Sequence, residues 1–295
     1  MFTTLSFGEV LWDVFPDYKK PGGSPANLAY HLHCLGNKSV LLSRVGDDTN
    51  GEELIDFLKT KGLSTDHIQT DKKLSTGRVT VNIDEHNEPS YTIHQPSAWD
   101  NITTENVSPE LVRSLDAICF ASLSQRNQVS AESLKILLSS TPTDCLKVFD
   151  LNLRPPFIDR ELILDLINQS DVIKVNEDEF SKIGEWLETQ NPAEEILKND
   201  PSKIIILTLG ASGSAMYTSE GYFNQPAYPI SGEGDFVGVG DAFLACFTHL
   251  VLNEEKHDRI LKLANRYAAY VASEKGGMPD IPSNILGKMK SEDSG

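Results

Sequence analysis

Short apolar runs alternate with helical patterns along most of the chain. "DAICFAS" (116–122), "CLKVFDLN" (145–152), "DVIKVN" (171–176) and "KIIILTLG" (203–210) are apolar and end near turn residues, so they read as strands. Between them, "QVSAESLKILLSS" (128–140), "RELILDLINQS" (160–170) and "EDEFSKIGEWL" (177–187) carry apolar residues at helical spacing. Strands separated by helices require βαβ crossovers, and continuous apolar strands require a parallel sheet covered on both faces. The N-terminal part follows the same scheme. "LSFGEVLWDVF" opens with a strand, "SPANLAYHLHCLG" (24–36) is a helix, "SVLLSRVG" (39–46) a strand and "GEELIDFLKTKG" (51–62) a helix. In the first helix Ser24 suits the cap, Pro25 the first helical position and Gly36 the left-handed exit.

Residues 76–96, "TGRVTVNIDEHNEPSYTIHQP", break the alternation. "RVTVNI" and "SYTIHQ" alternate residue by residue, the period of a sheet with one wet face, and "DEHNEP" is a polar turn between them. A hairpin set between helical units does not belong to the main sheet. It reads as a flap over one end of that sheet, with help from strand residues near 11–20. No internal repeat stands out, and only the tail "KSEDSG" has a disordered composition.

Composition narrows the chemistry. With 39% hydrophobic and 23% charged residues, the 295-residue chain reads as an ordinary globular protein. Its net charge of -17 argues against a nucleic-acid partner or an anionic membrane surface. No apolar run reaches the roughly 20 residues of a membrane span, and "MFTTLSFGEVLWDVF" lacks the basic start of a secretory signal. Cys34, Cys119, Cys145 and Cys246 are widely spaced with no CxxC pair, and three of the four lie among apolar neighbours. They read as small buried side chains in a reducing cytoplasm. The same charge sets a condition on any phosphate ligand, which needs local help from backbone N–H groups, a few basic side chains or a divalent cation.

An open parallel sheet presents ligands beyond the C-terminal ends of its strands. Asp13 follows the first strand, and "DLNLRP" (150–155), "NEDE" (176–179) and "TLGASG" (208–213) follow later ones. "GVGD" (238–241) places an aspartate between a glycine turn and the apolar segment Ala242–Phe247. Each has a plain reading alone. "GGSPAN" (22–27) is a turn and a helix start, "NEDE" an acidic first turn that favours the helix dipole, and "TLGASG" a strand followed by a glycine hairpin. Asp241 either satisfies free helix N–H groups or acts as a base beside an anion-binding loop. GxxxxGK[ST], an early GxGxxG, GxSxG and HExxH are all missing. His31 and His33, two apart on one helix, make a poor metal pair.

In combination these segments resemble the PfkB (ribokinase-like) carbohydrate kinases, most nearly the fructokinases. The resemblance runs from Gly8 to about Pro282 and rests on "GGSPANLAYHLHCLG" (22–36) with "RVGDDTNG" (44–51), and on "DFVGVGDAFLACF" (235–247), with the other three motifs in order between them. It implies one domain over 1–295. The expected fold is a three-layer αβα ribokinase-like fold with a central, mainly parallel sheet and a small β-lid from about 11–20 and 76–102. It implies ATP-dependent phosphorylation of a free sugar, fructose first. The alternatives are a kinase for ribose, a sugar acid or a nucleoside, and a non-catalytic sugar- or nucleotide-binding relative.

The resemblance also assigns roles. Asp241 is the expected base, and the N–H groups of Gly238, Val239 and Gly240 the anion hole for the transferred phosphoryl, with the helix N-terminus keeping Asp241 ionised. Asp13, Gly22, Gly23, Asn27 and Arg154 are expected at the sugar. Asn176, Thr208, Gly210, Gly213 and Asn265 are expected along the nucleotide, with Glu179 organising Mg²⁺ through water. Asp235 and the carbonyl of Val237 resemble a K⁺ loop, and the lid is a possible homodimer surface. Among lid residues Arg78 is the main basic one, too little for a phosphorylated sugar.

Overall fold

The computed structural model describes residues 1–83 and 89–290. The turn expected at 84–88 and residues 291–295 of the expected tail lie outside them.

Thirteen strands form in these residues: β1 (Thr3–Phe7), β2 (Leu11–Val14), β3 (Lys19–Gly22), β4 (Lys38–Gly46), β5 (Ile68–Asp71), β6 (Gly77–Ile83), β7 (Pro89–Ile93), β8 (Ala117–Ala121), β9 (Leu146–Asp150), β10 (Val172–Asn176), β11 (Ile204–Thr208), β12 (Ser214–Thr218) and β13 (Gly221–Gln225). Ten helices accompany them: α1 (Ser24–Cys34), α2 (Thr49–Thr60), α3 (Pro109–Arg113), α4 (Gln128–Ser140), α5 (Arg160–Gln169), α6 (Glu177–Leu187), α7 (Pro192–Asn199), α8 (Val239–Leu252), α9 (His257–Ala272) and α10 (Ser283–Lys290). None is long and apolar enough to cross a membrane.

Nine strands make one sheet in the order β13-β12-β11-β10-β9-β8-β1-β4-β5. It is parallel from β11 to β5, while β12 and β13 add on antiparallel. Alternate strand residues feed two apolar layers. Ile118, Phe120, Ile173, Val175, Ile205 and Leu207 pack on one side with α4, α5, α6 and α7. Cys119, Val148, Val172, Ile206 and Met216 pack on the other with α1, α8 and α9. This is the expected αβα ribokinase-like arrangement. Phe243 to Phe247 of α8 are at most 3% exposed, so this helix is apolar all round because it is covered all round.

A second sheet, of order β3-β2-β6-β7, draws its strands from both expected lid segments. Its boundaries differ from the expectation. Residues Ala98–Asn101 form a single 3₁₀ turn, and Trp99 is fully buried in the main core instead of standing in the lid. An indole of that size gains more from burial than from an exposed flap. Two smaller readings also change. Gly23, with φ 107°, occupies the cap position of α1, and Ser24 is the first helical residue, its hydroxyl used elsewhere. Cys34 is half-buried where full burial was expected, while Cys119, Cys145 and Cys246 are buried; all four are free.

Candidate active site

The helix α8 starts on Gly238, which sits in the left-handed region at φ 71° with no side-chain cap. Only glycine fits there, since a Cβ would fall 2.7 Å from the Cα of Gly277. The first helical bond runs from Ala242 N–H to the Gly238 carbonyl, so the amides ahead of it have no helical acceptor. Asp241, in the first turn, does not fold back to cap them. Its carboxylate accepts from Ser24 Oγ at 2.6 Å and from Asn27 Nδ2 at 2.8 Å, both on α1. Two glycine-started helices thus meet at the C-terminal edge of the sheet, locked together by one carboxylate.

Asp241 is 9% exposed. Burial pushes its pKa up; Asp150 adds to the rise, and the hydrogen bonds from Ser24 and Asn27 together with Lys174 pull against it. The expectation that the helix terminus keeps it ionised is therefore too simple. Desolvation wins, which makes it a stronger base once its proton is gone.

Beneath the loop lies a buried ion pair. Lys174 Nζ donates to both oxygens of Asp150, at 2.9 and 3.0 Å. Burial works against this ammonium, yet Asp150 and Glu179 hold its pKa above the ordinary lysine range. Glu179 is 4% exposed and accepts from the amides of Leu153 (2.8 Å) and Asn176 (2.9 Å), while Asn176 Oδ1 accepts from the Glu179 amide. "NEDE" is thus a reciprocal capping box that also ties "DLNLRP" to α6.

Toward the lid, Asp13 on β2 lies so close to Gly22 that a Cβ on Gly22 would be 2.4 Å from Asp13 Oδ2. Burial raises Asp13 to a pKa of about 6 against the opposing pull of Arg154 and Lys20. Gly23 packs on the Glu9 carbonyl with no room for a Cβ, and Arg154 is exposed. Lys20 on β3 donates to Asp235 Oδ2 at 2.7 Å, and Asp235 also accepts from the amides of Val237 and Gly276. The carboxylate expected at an alkali cation therefore already faces an ammonium of this chain.

The residues expected along the nucleotide are spread more widely. Thr208 ends β11 with its hydroxyl on the Val175 carbonyl. Gly210 (φ 53°) is exposed, and Gly213 (φ 104°) lies under Gln225 with no room for a Cβ. Asn265 is 7% exposed and its Nδ2 donates to Ser214 Oγ and the Leu261 carbonyl, a tie between α9 and β12. Among the described residues no three His, Cys, Asp or Glu side chains are grouped to hold a metal ion.

Two groups of this site escape a reading of motifs. Lys174 hides in an apolar strand. Glu9, 2% exposed, is pushed by burial to a pKa of about 7 in the field of Arg154, Asp241 and Arg126, and its Oε2 has no hydrogen-bond partner. A buried acid two residues beyond β1 is the signal that could have found it. His31 is a third contributor. Its Nε2 lies 3.0 Å from the Gly277 carbonyl and its Nδ1 3.0 Å from the Tyr267 hydroxyl. Burial lowers its pKa to about 3, so it is a neutral brace for the segment that abuts Gly238.

Comparison with known proteins places this architecture. The family model of the pfkB family carbohydrate kinases matches residues 5–284. Fructokinase-2 of Oryza sativa subsp. japonica is 27% identical over 305 residues, covering 95% of this chain and 90% of its own. The crystal structure of a sugar kinase from Pyrococcus horikoshii in complex with ATP superposes with a TM-score of 0.83 at 26% identity, covering 98% of both chains. A fructokinase from Vibrio cholerae O395, solved in a fructose-, ADP- and calcium-bound form, gives 0.82 at 25% identity over 99% of each chain. The chain belongs to the pfkB family of carbohydrate kinases.

Proposed function

We propose that the protein transfers the γ-phosphoryl group of ATP to a hydroxyl of a free sugar, fructose first. The observation that carries this reading is the Asp241 carboxylate, clamped by Ser24 and Asn27 beside the open N-terminus of α8. Asp241 takes the proton of the sugar hydroxyl as its oxygen bonds to the γ-phosphorus. The bond from that phosphorus to the β–γ bridging oxygen breaks, and ADP leaves with the electron pair. The N–H groups of Gly238, Val239 and Gly240 face the charge on the transferring group, aided by the helix terminus. Such a reaction asks the protein mainly for position and charge.

Asp13, Gly22, Gly23, Asn27 and Arg154 form the sugar side of this reading, and Asn176, Thr208, Gly210, Gly213 and Asn265 the nucleotide side. The lid closes over the sugar and excludes water as a competing acceptor. Mg²⁺, when bound, supplies charge neutralisation on the phosphates. Glu179 has both oxygens on backbone amides, so it suits a cation carried by the nucleotide and reached through water, not a direct ligand. K⁺ at Asp235 and Val237 would have to displace Lys20. Fructose is favoured by the fructokinase relatives and by the lid's basic residues. Lys19 pairs with Glu53 and Lys20 with Asp235, which leaves Arg78 as the lid's remaining basic side chain, too little for a sugar phosphate. We place the activity in the cytoplasm, where thiols such as the four free cysteines stay reduced. The lid is the proposed homodimer surface.

The test is ATP turnover with Mg²⁺ against a sugar panel, for the wild type and for Asp241→Asn. Fructose should turn over fastest, and the variant should lose about 10³-fold or more in kcat. Another sugar in first place would keep the mechanism and remove fructose. No turnover with any sugar, in a folded protein that binds nucleotide, would replace catalysis with binding.

A further inference from the structure

Lys174 stands in the middle of the sheet, on a strand that is otherwise Val, Ile and Asn. It is 9% exposed. Lysine is almost never buried without a specific partner, and a buried ion pair adds little stability over apolar residues of the same size. Stability alone is thus a poor reason for it. Register explains where the side chain goes. Lys174 pairs with Asp150 on one side and Ile206 on the other. It lies two residues after Val172 and so shares the face that packs against α8. At that height the N-terminus of α8 passes directly over it, and a Cβ placed on Gly240 would sit 3.3 Å from Nζ. Asp150 takes the ammonium through its two oxygens, which fixes its charge beside the loop.

The charges around the loop show the need. Asp241 on α8, Asp150 on β9, Glu179 on α6 and Glu9 after β1 are all carboxyl groups within each other's field or that of Lys174. A transferring phosphoryl group adds more negative charge at the same place. We propose that Lys174 is a positioning residue for catalysis: its ammonium, fixed by Asp150, holds a positive charge under Gly240 that favours the phosphoryl in the loop. The same charge works against the effect of burial on Asp241. This rests on the phosphoryl-transfer reading above. The lysine acts through the loop from below.

The experiment is the pH profile of kcat, with ATP, Mg²⁺ and the best sugar, for the wild type and three variants. Thermal unfolding and ADP binding confirm that each is folded. Lys174→Met should lower kcat about a hundredfold and move the acid limb to higher pH, because Asp241 loses the cation that lowered its pKa. Asp150→Asn should move that limb the other way, because it removes a carboxylate that raised it. Where Lys174→Met alone leaves Asp150 unpaired and unfolds the protein, the double variant Lys174→Met/Asp150→Asn carries no orphan charge and takes its place. It should fold and still lose kcat by tenfold or more. A folded Lys174→Met, or a folded double variant, that keeps kcat within about threefold overturns the proposal. A loss of kcat in Lys174→Met with an unmoved acid limb overturns it too, since mere structural damage does that. Wild-type protein inactive on every sugar would overturn the phosphoryl-transfer reading and this inference with it.

Discussion

Helices α6 and α8 both begin at the C-terminal edge of the sheet, and both starts carry an acidic motif, yet they are built in opposite ways. At α6 the cap closes on itself: Asn176 takes the Glu179 amide, and Glu179 takes the amides of Asn176 and Leu153. At α8 a glycine with no side chain holds the cap position, and Asp241 reaches sideways to α1. A closed start stabilises the fold and spends its hydrogen bonds within the protein, so a ligand reaches its carboxylate only through water. An open start leaves polarised N–H groups unpaired at some cost in stability, and such a cost persists where it serves binding. Acidic residues in a first turn do not by themselves distinguish the two.

The largest effect should come from blocking the open start. Gly238→Ala forces a left-handed alanine and sets its Cβ 2.7 Å from backbone at Gly277. The strain costs about 1–3 kcal/mol, and the displaced loop should lose about 10²-fold in kcat. Steady-state kinetics beside urea unfolding separates these two. If kcat stays within a few-fold while stability falls, the open terminus is a packing accident.

Breaking the closed start should do the reverse. Glu179→Gln turns one acceptor oxygen into an NH₂ group that must face a backbone N–H in a site only 4% exposed. About 1–3 kcal/mol of stability should go, with a smaller loss of kcat than in Gly238→Ala. A variant of full stability whose kcat drops as far as that of Gly238→Ala would make both starts functional, and the contrast would collapse.

Much of this contrast was legible one chain segment at a time. The strands from "DAICFAS" to "KIIILTLG" and the helices between them follow from local periodicity and lie within a residue or two of their expected limits. Short elements with weak patterns were not read, among them β5, α7 and β13. What local pattern cannot carry is pairing across the chain. Ser24 looks like a cap because its partner, Asp241, lies 217 positions away. Trp99 looks like part of a lid because the core that covers it is gathered from β4 before it and α4 after it, which no local pattern joins. Lys174 looks like an interruption of a strand because only the fold brings Gly240 over it. Motifs in the right order pointed to the candidate site, but its charges are set by tertiary neighbours.

The smallest expected effect concerns the segment that leads into the open start. Lys20 joins the lid to Asp235, six residues ahead of Asp241, with both side chains about a quarter to a third exposed (30% and 26%). A pair that open contributes at most about 1 kcal/mol, so Lys20→Ala should unfold close to the wild-type midpoint. Its consequence lies in what Asp235 then faces. Burial raises that carboxylate, but Lys20 and the amides of Gly276 and Val237 more than offset the rise and keep its pKa below the ordinary range. With Lys20 gone, the amides remain and a carboxylate stands beside them without a cation. Unfolding midpoints in potassium chloride and in N-methylglucamine chloride at equal ionic strength should then coincide for the wild type and differ for Lys20→Ala, potassium giving the higher value. A wild-type protein that already gains from potassium would show that the tethered ammonium yields to the free ion. The lid would then reach the open start through a metal ion, not through Lys20.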